Sequence, residues 1–244
     1  MAKYSLLSLS LFLFVVCNLQ GQQYPSDSVI TANSVEYAKH IYHTQRGDES
    51  AIYNGINHNG YPSSIEGNAY FQFPDWQKGS VVYDNILYEN IIMKYDLLKD
   101  QLIVTPKDRG GLFIGLFSLR VEQFSFSNYH FVRINKTGKN TSPAQGFYQE
   151  LVHGKWTVLA KRTKIISERI EGLTVLRKFE ETVKYYLLKD GVYYPVKSKK
   201  DVLAVVKDLK KKVQQFLSAQ KIKYRDNLQQ AIIAVAEFYN QSSQ

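Results

Sequence analysis

Five histidines, a few strand-borne carboxylates and a dense run of lysines are the residues of this 244-residue chain that could do chemistry. His40 and His43 sit three apart, so on a helix they share one face. With His58 or Asp48 they would approach a metal-ligand set. No H-E-x-x-H spacing accompanies them, and two histidines on the polar face of a short helix need no ligand, so no metal is expected. His130 is the fourth, and His153, beside Gly154, fits a hairpin turn. Asp84, Glu89, Asp96, Glu122 and Glu150 lie in or beside predicted strands. Two carboxylates converging on one cleft would suit glycoside hydrolysis. Exposed strand and turn carboxylates are the ordinary alternative. The chain has no G-x-S-x-G elbow, P-loop or G-x-G-x-x-G, and no cofactor is expected.

The formal net charge is +9. Between residues 197 and 225 nine Lys and one Arg face only Asp201 and Asp208. Such a run attracts lipid headgroups, acidic glycans or nucleic acid. It is also what the solvated face of an amphipathic helix looks like, with Lys207, Lys210, Lys211 and Lys212 mostly opposite an apolar stripe. Lysine runs without interleaved Arg and aromatics are poor nucleic-acid signals, so no nucleic-acid partner is expected. Association with a membrane surface stays open.

The elements that must position these residues begin with an N-terminal leader. Lys3 precedes an apolar run, Leu6 to Val16, that is too short to span a bilayer and has the pattern of a secretory signal. Residues 1–21 are read as that signal, with maturation near Gln22. Cys17, the one cysteine, is either removed with it or lipidated. If removed, no thiol chemistry remains.

Residues 22–68 read as an N-terminal helix, with Val35, Ala38, Ile41 and Tyr42 at helical steps, followed by a turn-rich stretch with Asn54-Gly55, Asn59-Gly60 and Pro62. Residues 69–196 read as antiparallel β structure. Apolar runs flank Asp84-Asn85, Lys99-Asp100, His153-Gly154 and Lys189-Asp190-Gly191, four sequential hairpin signals. No room remains between them for crossover helices. Leu97-Leu98-Lys99-Asp100 recurs as Leu187-Leu188-Lys189-Asp190, the same turn chemistry written twice. A face switch near Gln123 predicts a bulge. Asn135 to Gly146 is polar and reads as a flexible excursion.

The strand aromatics, Tyr70, Tyr83, Tyr88, Tyr95, Tyr148, Tyr185, Tyr186, Tyr193 and Tyr194 with Phe71, Phe73 and Trp76, suit cross-strand pairs. A ligand cavity or a sugar-stacking platform is the alternative. Residues 197–244 read as a helical hairpin. Its first helix carries Val202, Val205, Val206, Leu209, Val213, Phe216 and Leu217 as a stripe, capped by Ser198 or Asp201. Its second starts at Asp226 in a capping box with Gln229. Asn135, Asn140 and Asn240 open glycosylation sequons.

The fold expected is β-rich (α+β): an antiparallel meander forming an open barrel or sandwich, with an N-terminal helix and a C-terminal αα-hairpin packed on it. On Tyr53-Asn54-Gly55, Gly79-Ser80-Val81-Val82-Tyr83, Tyr88-Glu89-Asn90-Ile91, Met93-Lys94-Tyr95-Asp96, the Lys189-Asp190-Gly191 turn and the closing Phe238-Tyr239-Asn240, the chain resembles a group of exported β-rich proteins of Bacteroidota-type bacteria with no established activity. The resemblance spans most of the mature chain. It implies an envelope location, periplasm or outer-membrane periphery, and supplies no catalytic residues. The expected function is therefore non-enzymatic binding or structure in the envelope, with an envelope protein as partner. The alternatives are a carrier holding a lipid or other apolar ligand in a curved sheet, and a glycan or peptide hydrolase.

Overall fold

Turn chemistry decides where the strands fold back. A computed structural model describes residues 51–107, 111–135, 143–206 and 209–242, all within one unit, Asp48–Gln244. The predicted signal and N-terminal helix, Cys17, His40, His43 and Asp48 lie outside the described residues, as does most of the 135–146 excursion. Twelve strands form: β1 (Ile56–Asn57), β2 (Ile65–Glu66), β3 (Gln77–Tyr83), β4 (Ile86–Asp96), β5 (Gln101–Thr105), β6 (Ile114–Gly115), β7 (Val121–Phe126), β8 (Tyr129–Ile134), β9 (Gly146–Val152), β10 (Trp156–Glu171), β11 (Thr174–Lys189) and β12 (Val192–Val196). Asp84 and Asn85 both take positive φ between β3 and β4, as do Asp190 and Gly191 between β11 and β12. That is the geometry a two-residue hairpin turn demands.

Two further tight turns, Ser127-Asn128 and Gly172-Leu173, join β7 to β8 and β10 to β11. The Lys99-Asp100 turn is longer than expected. Asp96 pairs with Gln101, so Leu97 to Asp100 form a four-residue loop, and Asp96 Oδ1 accepts from the N–H groups of Leu98 and Lys99 at 2.8 and 3.0 Å. The Asx side chain sets that loop. In the second copy of the four-residue echo, Leu187 to Lys189 remain in β11. The echo therefore marks two different turns.

The strands run β1-β6-β5-β4-β3-β7-β8-β9-β10-β11-β12 across one open sheet. It is antiparallel except where β2 joins β11 in parallel through Ile65 and Glu66. From β7 onward the order is a plain meander. Before that the chain runs away from β3 and then returns to pair β7 with β3's other edge. Arg120, in the returning 3₁₀ turn, holds the β3–β4 corner through Asp84. The predicted bulge is present: Val82 faces Gln123 while Tyr83 faces Val121.

Three helices follow, α1 (Lys199–Val205), α2 (Lys210–Ala219) and α3 (Leu228–Ser242). The expected hairpin of two is thus corrected, because the first predicted helix breaks after Val205-Val206. Two adjacent β-branched residues are weak helix formers, and Val206 O accepts from Leu209 N–H across the break. Its stripe still packs inward, with Val202, Val206, Val213 and Leu217 buried. Ser198 caps α1 with Asp201 as its reciprocal partner. For α3 the cap is Asn227, one residue past the predicted Asp226, accepting from Gln230 N–H at 2.9 Å.

Among the described residues two large apolar clusters and a small one, around Ile134, Tyr148 and Leu159, form the core. Around β3 to β9 the core is aromatic: Phe124 stacks on Phe131 at 4.7 Å, and Phe71, Tyr95 and Phe147 pack edge-on around them. Each such pair adds about 0.5–1.5 kcal/mol beyond its buried area. Over β9 to β12 the buried core is mainly aliphatic around Trp156, with Val158 and Leu187 clustered with Ile232 and Val235 of α3. The strand aromatics are thus chiefly core and cross-strand pairs.

Candidate functional site

Fully buried charge is the first place to look for chemistry. Asp96, at the end of β4, is completely enclosed. Its Oδ2 accepts from His58 Nε2 at 3.0 Å and Tyr61 OH at 2.6 Å. His58 Nδ1 accepts from Gly60 N–H at 3.0 Å, which leaves Nε2 to donate to Asp96. Burial alone would push the Asp96 carboxyl up. The hydrogen bonds from His58, Tyr61 and the N–H groups of Lys99 and Leu98 outweigh it and hold the group below the usual carboxylate range. Every polar atom of this trio is engaged within the protein, so it joins the 58–61 turn to the β4–β5 loop. His58 is a structural residue here.

A second knot lies at the other end of the same β4–β5 loop. Asp100 accepts from Tyr95 OH at 2.5 Å and from Lys161 Nζ at 2.6 Å, and Lys161 also donates to Phe147 O. Burial lowers the Lys161 pKa, opposed by Asp100. Gly146, with φ +144°, passes so close that a Cβ there would strike the Asp100 carboxylate and stand 2.5 Å from Lys161 Nζ. The knot is closed by backbone and holds β4 and the β4–β5 loop to β9 and β10.

The remaining predicted carboxylates do not converge. Asp84 pairs with Arg120 at an exposed corner. Glu122 accepts from Asn85 N–H at 2.9 Å, and Glu89 is exposed on β4. Glu150 belongs to a row that sequence reasoning missed. Ser125 Oγ lies 2.8 Å from His130 Nδ1, and His130 Nε2 lies 3.6 Å from Glu150 Oε2. The three residues stand side by side on β7, β8 and β9. The signal was the Ser127-Asn128 turn, which pairs residue 125 with 130.

A hydroxyl, an imidazole and a carboxylate in line are the parts of a nucleophilic relay. The other half of such a site is missing from their strand. β7 lies between β3 and β8, so its N–H groups are taken up in two ladders and cannot serve as oxyanion donors. Glu150 is shared with His153 Nδ1 at 2.7 Å, and His153 occupies the predicted turn. The row works as a cross-strand polar ladder.

Of the basic residues, Lys207 lies outside the described residues. Lys210, Lys211 and Lys212 are exposed at the start of α2, and Lys210 lines a groove with Lys199, Lys200 and Leu203. Among the sequons, Asn140 lies outside the described residues. Asn240 is committed: its side chain accepts from Trp156 N–H at 2.8 Å and donates to Trp156 O at 3.0 Å.

The other conspicuous surface is the far half of the β10–β11 hairpin. These 16-residue strands pair along their whole length, but β9 accompanies β10 only as far as Ala160. Beyond it, Lys164 N–H donates to Leu97 O and Lys164 Nζ reaches the carbonyls of Asn68 and Tyr70. Past that anchor, Ile170, Leu173, Val175 and Leu176 are exposed, Leu173 completely. The charges there are paired among themselves, Glu168 with Arg177 and Arg169 with Glu171.

No family model, curated protein or solved structure matches this chain. Among the described residues no helix is long and apolar enough to cross a membrane.

Proposed function

We propose that this chain is an exported envelope protein that acts by binding, and that the far half of the β10–β11 hairpin receives an extended segment of another envelope protein. One observation carries the reading: an exposed apolar tip beside a strand edge whose pairing with other described strands ends before Lys164. The opposite edge supplies the precedent, because β11 already accepts a short strand, β2, from elsewhere in the chain. Strand addition of this kind draws affinity from main-chain hydrogen bonds and specificity from alternate side chains.

The carrier reading needs an open apolar face. Here Phe124, Phe131, Tyr95 and Phe147 fill one half of the sheet and the helices cover much of the other. The hydrolase reading needs converging groups with oxyanion donors, which the Ser125–His130–Glu150 row lacks.

Whole-cell crosslinking in the native host tests the binding reading, with crosslinked peptides mapped by mass spectrometry. The expected result is one partner crosslinked through residues 165–178 and lost on Leu173→Glu, with folding unchanged. A partner retained by Leu173→Glu, crosslinks mapping elsewhere, or no partner at all would overturn it. The intact mass of the same material tests export, which requires a chain starting near Gln22 or a lipid on Cys17.

A further inference from the structure

The basic C-terminal run folds into something more specific than a solvated helix face. Two grooves meet at Lys199. The larger, about 980 Å³, lies beside the 220–227 connection and includes Leu217, Ile222, Lys223, Tyr224 and Arg225 in its lining. A second, about 600 Å³, adds Lys200, Leu203 and Lys210. Five cations thus line this pair of adjoining grooves, against Asp226 as the acid among their described lining residues, while Leu203, Ala204, Leu217 and Ile222 supply apolar lining.

Tyr224 sharpens the picture. Its hydroxyl is buried and has no hydrogen-bond partner among the described residues, while its ring lies under Lys199 Nζ at 5.8 Å. Burial raises the pKa of this phenol to about 12. The enclosed hydroxyl is out of reach of a ligand, so what Tyr224 offers the groove is its half-buried ring beside the Lys199 charge.

We infer that this pair of grooves binds the phosphate headgroup of an anionic lipid at a membrane surface. Lysines and Arg225 at the rim meet the charge, and Leu203 and Ile222, both partly exposed, lie against the first carbons of the acyl chains. Cationic rim beside apolar lining is the pattern of an interfacial site. Nucleic acid is less well served, because Tyr224 is the lining aromatic and its ring is half-buried rather than offered for stacking. The inference is independent of the hairpin, and Leu173→Glu leaves it intact.

The test is co-sedimentation of the full chain with phosphatidylcholine vesicles, with and without phosphatidylglycerol, at physiological salt. Binding is expected only with phosphatidylglycerol. Lys223→Gln with Arg225→Gln weakens it by roughly tenfold or more. Lys211→Gln with Lys212→Gln removes the same charge outside the grooves and costs only about two- to threefold. Tyr224→Phe, which removes only a hydroxyl out of ligand reach, leaves binding unchanged. Equal losses from the two double variants would mean diffuse attraction and overturn the site. So would displacement by millimolar inorganic phosphate, or tighter binding to single-stranded DNA than to vesicles.

Discussion

The two halves of the β10–β11 hairpin have the same backbone and opposite surroundings. In the near half, Trp156 to Lys161 are all buried, flanked by β9 and β12 and roofed by α3. In the far half, Ile170 to Leu176 stand in water. Both halves are rich in Val, Ile and Leu, so strand propensity does not separate them. Neighbours do. A strand pair is stable on its own only marginally, and the near half acts as the rigid base from which the far half is held out. Large exposed apolar side chains clustered on one projection are what an interaction surface looks like.

The sharpest way to break this comparison is at the base. Trp156 is buried, stacks on Tyr239 at 3.9 Å and is clamped through its backbone by Asn240. Trp156→Ala is expected to cost about 3–5 kcal/mol, read as a fall in the urea midpoint. Asp96→Ala comes next, at about 3 kcal/mol or more, because it strands the buried donors of His58 and Tyr61.

Asp96 also predicts a pH effect. Its folded pKa lies below its unfolded one, so its stabilisation is complete above about pH 4–5 and is lost as pH falls through the folded value. Stability measured from pH 6 down to pH 2 should drop more steeply in the wild type than in Asp96→Asn. Parallel curves would remove Asp96 as the cause.

Much of this was legible from short-range chemistry. Asp84-Asn85 and Asp190-Gly191 announce their turns because both residues of each tolerate positive φ. The Gln123 bulge shows as a break in alternation, and the helical stripe as a period. What stayed hidden depended on register or on length. Ser127-Asn128 is an equally tight turn, and overlooking it concealed the Ser125–His130–Glu150 row, which exists only once residues 125, 130 and 150 are set side by side. Gly172-Leu173 was obscured by its own strands, whose far halves lack the clean alternation of a half-buried sheet. The burial of His58 could not be read at all, since its partner Asp96 lies 38 positions away. The break at Val206 shows the same limit from the other side, because a continuous apolar stripe does not require a continuous helix.

The smallest expected effect is the one that defines the far half. Leu173→Ser removes a large apolar side chain that touches nothing but water, so it should change stability by no more than about 0.5 kcal/mol. Ile170→Ser should cost only slightly more, since Ile170 still faces Val175 across the hairpin and cross-strand pairs contribute roughly 0.2–1 kcal/mol. Both are checked by urea denaturation of the purified chain beside Trp156→Ala. A loss above about 2 kcal/mol for Leu173→Ser would mean that some other surface covers the tip in the isolated protein. The tip would then belong to the core, and the contrast between base and projection would collapse. A null effect on stability, joined to loss of the crosslinked partner by Leu173→Glu, separates the two roles cleanly: the near half holds the fold and the far half makes the contact.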